Sequence, residues 1–451
     1  MIQVQRRPDG SLIMRANVEI EVPPGASMLE AEEALMRGLN EAGTGLTGGL
    51  LETMDADGKP LQRQGRNWTA KRRKEVRHVE TPWGCAVVER WAYQPGTGGA
   101  CFYPMDKAAG LIGAATPKFS QMVSGKLVEL PAATVVSDLR GNHARSVSAD
   151  FVQRLAELVS TLAGEIAPGA EAGGLPPAHE VATISVGADS AAMLMGARRE
   201  DATGDDARKE RMREWRMATI GTITLQNFAG ERIGTIYAAT APPEDKEEGK
   251  AAFWKVMDRE LAAVKARYPR AVYTGLSDGA SDLLPWLRAN TSRVTLDFYH
   301  ASGYVCAVAG AFAHERPRGE EDDWWAQQAC HHLRHEEGAA AALLAVMEER
   351  LADPRRLRAP DREALEKAVT YFRNNIDRMD YAACAKEGLP IGSGVTEAGC
   401  KLIVKKRFCG PGMTWSFRMA GHLLKLRAVA HSTGERWKAL WQQILTTNAA
   451  L

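Results

Sequence analysis

No apolar run follows MIQVQRRPDG at the N-terminus, and no apolar stretch approaches the about 18 residues that a bilayer span needs. Neither export nor a membrane span is supported, and the expected location is the cytoplasm. CxxC spacing is also missing, and seven cysteines is an odd number, which suits reduced thiols better than a disulfide framework or a zinc ribbon. Net charge is nearly absent, since 57 Lys and Arg oppose 56 Asp and Glu for a formal +1. That sum neither suggests nor excludes nucleic acid, because affinity for phosphates follows local basic surface. The remaining composition, 45% hydrophobic and 25% charged over 451 residues, predicts a globular chain of roughly two to four domains.

Locally the charge is uneven. Between 63 and 77, RQGRNWTAKRRKEVR carries seven basic residues, Arg72, Arg73 and Lys74 among them, against one Glu. Between 401 and 427, Lys401, Lys405, Lys406, Arg407, Arg418, Lys425 and Arg427 occur without any Asp or Glu. Either cluster alone is equally well a solvated helix face. Two of them, on either side of the acidic residues considered next, favour a polyanionic partner.

Along the chain, 1–70 reads as an appendage with an acidic helix, SMLEAEEALMRGLNEAG, and mobile Gly-rich loops. Residues 71–175 read as two or three antiparallel strands followed by helices, with a polar turn at RGNHARSVSA compatible with a helix-turn-helix. APGAEAGGLPPAH at 167–179 has the composition of a linker. After it come strands at 181–189, 218–228 and 232–240, an amphipathic helix at 249–268, and two more strands, AVYTGL and RVTL, separated by the short helix SDLLPWLRAN. This β-β-β-α-β-α-β order is that of ribonuclease H-like domains, an α/β class with a mixed sheet. It places Asp189 and Asp278 at the ends of neighbouring strands, and Asp297 ends the last. The simpler alternative for Asp278 is a Ser-Asp-Gly turn with no chemistry. Residues 301–388 predict an all-helical insertion, and 389–451 the return to the core. There, Glu397, Lys401 and Lys405 fall at i, i+4 and i+8 on one helix face, after a start capped by Ser393 or Thr396. A surface Glu–Lys pair would explain that spacing too.

The blocks WRMATIGTITL, SDGASDLLPWL, LDFYHAS, YFRNNIDRMDY, PIGSGVTEAGCKLIVKKRF and GMTWSFRMAGHLLKLRA, in this order over roughly 76–445, resemble the DDE transposases of the Kra-type bacterial insertion sequences, distant relatives of Mutator-like transposases. The resemblance implies an RNase H-like catalytic core interrupted by a helical insertion, and Mg²⁺-dependent DNA cleavage and strand transfer. It places the catalytic and metal-binding set on Asp189, Asp278 and Glu397. Asp297 and His300 match the Cys/Asp-x-x-His motif of the Mutator-like relatives, beside the metal or in contact with phosphate. Two departures stand out: the first site reads G-A-D-S instead of a D-G-T-like sequence, and Cys101 stands alone where relatives carry C-x-x-C.

Hydrolysis of a phosphodiester needs a deprotonated water or 3′-hydroxyl and neutralised charge on the phosphate, which two Mg²⁺ ions supply. Mg²⁺, for which Mn²⁺ substitutes, prefers carboxylate oxygens to Cys or His, which leaves the cysteines no catalytic part. The expected partners are transposon ends, target DNA and further copies of the chain, at least a dimer on DNA. Arg72, Arg73, Lys74, Lys401, Lys405, Lys406 and Arg407 are the expected DNA contacts. The alternatives are a metal-dependent nuclease on the same fold, or a domesticated DNA-binding protein without catalysis. His331, His332 and His335 offer an i, i+4 metal pair without HExxH, and Trp324 and Trp325 offer either base stacking or core packing for the insertion.

Overall fold

The computed structural model describes residues 2–198, 211–279, 282–312, 320–353 and 357–450; Ala280 and Ser281 of the Ser-Asp-Gly block lie outside them. The chain forms two compact units, 1–166 joined by 437–451, and 167–436. Among the described residues no helix is long and apolar enough to cross a membrane.

The first unit opens with the hairpin β1 (Ile2–Arg6) and β2 (Leu12–Ala16), then α1 (Met28–Glu52). Ser27 and Glu30 form a capping box at the start of α1. The Gly-rich run expected as mobile loops is the second half of this helix. Its glycines serve close approach: a Cβ on Gly43 would lie 2.6 Å from the Trp83 ring. β3 (Leu61–Arg63) and β4 (Arg66–Ala70) follow, then the hairpin β5 (Glu75–Glu80) and β6 (Cys85–Arg90), and β7 (Tyr93–Pro95), which pairs with β4. In β6 every second residue is buried, the signature of a one-faced antiparallel ribbon. Four helices complete the run, α2 (Pro104–Ala108), α3 (Pro117–Glu129), α4 (Ala132–His143) and α5 (Ala149–Leu162), with Phe119, Leu139 and Val152 fully buried. The stretch read as a linker is not one. Ala170 and Leu175 are buried in the core of the second unit, and the Gly169 amide donates to the buried Glu260 at 2.7 Å. Pro, Gly and Ala mark a break in regular structure, but here the irregular backbone is packed.

The second unit is a mixed α/β fold. β8 (Thr183–Arg198), β9 (Arg211–Gln226), β10 (Arg232–Thr240), α6 (Ala251–Arg267), β11 (Val272–Ser277), α7 (Leu284–Asn290) and β12 (Arg293–Leu296) follow the order read from the sequence. The sheet runs β10-β9-β8-β11-β12, with β8, β9 and β10 antiparallel and β11 parallel to both β8 and β12. Ile184, Val186, Ile223 and Leu225 of the central strands pack on Phe253, Met257 and Leu261 of α6, while Thr183, Ser185, Thr222 and Thr224 alternate with them and are buried as well. Asp189 is not at a strand end as expected. β8 stays paired with β9 as far as Arg198, whereas its pairing with β11 stops at Gly187–Leu276, so Asp189 sits in mid-strand where the parallel neighbour turns away.

The insertion is helical: α8 (Phe298–Phe312), α9 (Glu320–His335), α10 (Ala339–Ala352), α11 (Ala359–Asn375) and α12 (Tyr381–Lys386). It has its own apolar core, centred on Val305, Leu333, Met347, Leu365 and Phe372. The helix expected to start at Ser393 or Thr396 does start after Ser393, but it is not one α-helix: it is α13 (Gly394–Gly399), a π-helical stretch at Cys400–Lys405 and α14 (Lys406–Phe408). From α15 (Phe417–His431), the fully buried Arg427 reaches back and donates to the carbonyls of Leu402 and Ile403, the latter at 2.9 Å. An inserted side chain that takes backbone carbonyls accompanies such bulges. The last helix, α16 (Arg436–Ala450), belongs from Trp437 onward with the first unit and not with the core as expected.

α13 is seated on the sheet through a buried hydroxyl pair, Thr222 and Thr396, 2.7 Å apart, over Gly187. A Cβ at Gly187 would meet the Thr396 Oγ1 at 2.6 Å. Gly187→Ala is expected to cost about 1–3 kcal/mol. Thr396→Ala also costs stability, but the double variant loses less than the sum, by at least about 0.5 kcal/mol in urea unfolding.

Candidate functional site

Parallel pairing of β8 and β11 puts Gly187 opposite Leu276, so Asp189, within β8, and Asp278, just past the end of β11, each two residues further on, lie at the same level. Neighbouring strands are about 4.8 Å apart, and residues i and i+2 share a face. Both carboxylates, with Glu397 from α13, line one cleft of about 450 Å³. The expected trio is thus brought to one opening, although the three lie on separate elements. His300, Tyr299, Lys401 and Lys405 also face it.

Asp297 lies directly after β12 and is completely buried. Its Oδ1 accepts from the His300 amide at 2.7 Å, which caps α8; its Oδ2 accepts from the Ser393 hydroxyl at 2.7 Å and from the Ser393 amide. Its own amide donates to Ser277 at 2.7 Å. The Ser393 Oγ is 3.4 Å from Glu397 Oε1. Asp297 is therefore the post on which His300 and Glu397 hang, and it does not open to the cleft itself. Asp297, His300 and Glu397 each bring one ligand atom to within 4.8 Å of the others, the one such group of three among the described residues. With its lone pairs already accepting these bonds, Asp297 orients the group, and the side chains open to a cation are His300 and Glu397, with Asp189 and Asp278 across the cleft.

Two supporting residues were not anticipated from the sequence. The Cys400 thiol, buried on the turn after Glu397, donates to Asp189 Oδ2 at 3.4 Å; burial, and then the Asp189 charge, push its pKa far up, so it stays protonated. The Tyr371 hydroxyl, pushed up chiefly by burial and by the stacked Tyr304, donates to the Asp278 carbonyl at 3.2 Å. The i+3 spacing of Glu397 and Cys400 on a helix was the available signal for the first; nothing local marked the second.

The expected DNA contacts divide. Lys401 and Lys405 are exposed beside the cleft and Lys406 is exposed nearby. Arg407 is 3% exposed, with its guanidinium 4.9 Å from the Trp415 ring, so the reading of it as a phosphate contact is corrected: after the π-helical stretch it points into the core. Lys74 is held by Asp55 at 3.1 Å, whereas Arg72 and Arg73 are exposed. Trp325 stacks on Phe312 at 4.3 Å between centroids and Trp324 is exposed; the rings of the i, i+4 pair His331 and His335 lie 4.7 Å apart, whereas His332 pairs with Glu336 at 2.5 Å. In comparison with known proteins, the chain matches no family model and no curated sequence.

Asp297→Asn keeps the shape but turns an amide NH₂ toward donors. It is expected to cost about 2–3 kcal/mol in denaturant unfolding, whereas Asp278→Asn costs little. Equal stability of the two variants counts against the anchoring role. At pH 9, where an ordinary thiol is half ionised, the raised Cys400 remains protonated; mass spectrometry after brief iodoacetamide treatment should find Cys306, which is exposed, labelled ahead of Cys400.

Proposed function

We propose that the chain is a DNA transposase of the DDE kind, with an RNase H-like core that cuts transposon ends and joins them to target DNA. The observation that carries the reading is the convergence of Asp189, Asp278 and Glu397 on one cleft beside Lys401 and Lys405. The strand order β10-β9-β8-β11-β12, with an antiparallel first half and a parallel second half, supports the RNase H-like assignment. The helices placed between Asp297 and Glu397 support the kinship with the Kra-type elements.

The donor set fits a hard divalent cation. Three carboxylates line an open cleft, and the one thiol among the described residues that line it is kept protonated and turned to Asp189. Asp189, Asp278 and Glu397 would hold Mg²⁺, two ions in the full site, with His300 beside Glu397; Mn²⁺ would substitute. Bound there, the metal supplies an activated nucleophile and neutralises charge on the scissile phosphate. The chain's own residues do the rest. Asp297 and Ser393 fix Glu397, Cys400 orients Asp189, and Tyr371 holds the Asp278 turn. Lys401 and Lys405 take the phosphates on either side, and Arg72, Arg73 and Lys406 add contacts to the backbone of DNA. In this reading the protein acts in the cytoplasm on nucleoid DNA, as at least a dimer.

The test is nicking of the element's terminal inverted repeat by the full chain. Mg²⁺ should support it and chelation abolish it. Asp278→Asn and Glu397→Gln should each lower it at least about 100-fold while melting temperature and DNA binding hold. Cleavage without strand transfer would reassign the chain as a nuclease, and DNA binding without Mg²⁺-dependent nicking as a non-catalytic binder.

A further inference from the structure

A second cavity, of about 730 Å³, opens on the other side of the Asp278 turn, within the same unit. Gly279 and Leu284 form one edge, and the stacked rings of Tyr304 and Tyr371, 4.0 Å apart and 18° from parallel, form a wall. At its base is Arg378, 6% exposed. The Arg378 Nη2 donates to Asn375 Oδ1, and Nε lies 3.8 Å from Asp377, but neither Nε nor Nη1 has a hydrogen-bond partner. A guanidinium in this position bears most of the desolvation cost of its charge with two donors unused, a cost that an arriving anion offsets. The surrounding burial pulls its pKa below the usual arginine range without neutralising it.

We propose that this cavity binds one unpaired nucleotide, its phosphate on Arg378 and its ring system along the Tyr304–Tyr371 wall. Guanidinium donors suit a phosphate oxygen pair, and aromatic walls take a base of any sequence. The volume lies within the range of small-ligand sites. The rim selects against a small free polyanion. Glu363 pairs with Lys367 at 2.6 Å and Glu366 also lines the cavity, so a ligand with one phosphate, held at the Arg378 end, is favoured. The Tyr371 hydroxyl, on the Asp278 carbonyl, links this cavity to the turn that carries Asp278. A nucleotide seated here would be one flanking the phosphate in the carboxylate cleft. The placement rests on the proposed function; the cavity's occupancy does not.

The experiment measures binding of a fluorescent 12-nucleotide single strand to the full chain in EDTA, apart from any nicking assay. Asn374→Trp, at an exposed position lining the cavity, should weaken binding about 10-fold at unchanged melting temperature, as should Arg378→Gln. If Arg378→Gln does not fold, Asn374→Trp decides. Unaltered affinity in Asn374→Trp overturns the proposal. So does stabilisation of the wild type by inorganic phosphate alone, lost in Arg378→Gln, with none from the oligonucleotide. Absence of nicking with the Asn374→Trp effect intact would sink the transposase reading and leave the cavity assignment standing.

Discussion

The Asp297 carboxylate accepts from the His300 amide at the start of α8 and from the Ser393 amide and hydroxyl at the start of α13, two elements 96 residues apart at the serine contact. With its own amide on Ser277 at 2.7 Å, this one buried residue ties β11, β12, the head of the helical insertion and the chain's return. A buried carboxylate is tolerated only with such donors, so the bonds are mutually required: the donors satisfy the charge, and the charge holds two helix starts together. His300 and Glu397 inherit their positions from it.

On the other side of the cleft the constraint is steric. α13 comes close to the sheet because Gly187 lacks a Cβ below Thr396, and the Thr222–Thr396 hydroxyl pair fixes the approach. Arg427 then holds the π-helical stretch that follows, a local distortion of the kind found at functional sites. That distortion divides the basic run between two tasks: Lys401 and Lys405 face the cleft, whereas Arg407 and Arg427 are core residues. Counting basic residues along the sequence could not separate these, because the sum is the same whether a guanidinium meets phosphate, carbonyl or indole.

The order of strands and helices after residue 180 was legible because the strands are runs rich in β-branched residues and the connecting helices are amphipathic, two patterns that differ plainly. The limits of local pattern show at the glycines of α1 and at 167–179, where composition suggested mobility and packing decided otherwise. Glycine in sequence signals freedom; beside Trp83 it signals the absence of a clash. Likewise α16 reads as an ordinary helix, and only the contacts of the folded chain assign it to the first unit.

The sequence by itself determined the mixed α/β class of the second unit and the helix that carries Glu397, since both follow from short-range period and element order, whereas the neighbouring places of Asp189 and Asp278 were an expectation from the topology that this order resembles. Tertiary structure decided that Asp297 is a buried anchor and not an open ligand, that Asp189 lies within a strand, that Cys400 attends it, and that Arg378 remains with unused donors at the base of a cavity. Those outcomes depend on which groups satisfy one another's charge and hydrogen bonds across 90 or more residues, for example Asp189 with Cys400 at a separation of 211. No local pattern encodes that pairing, because it exists only when the strands and helices are closed upon each other.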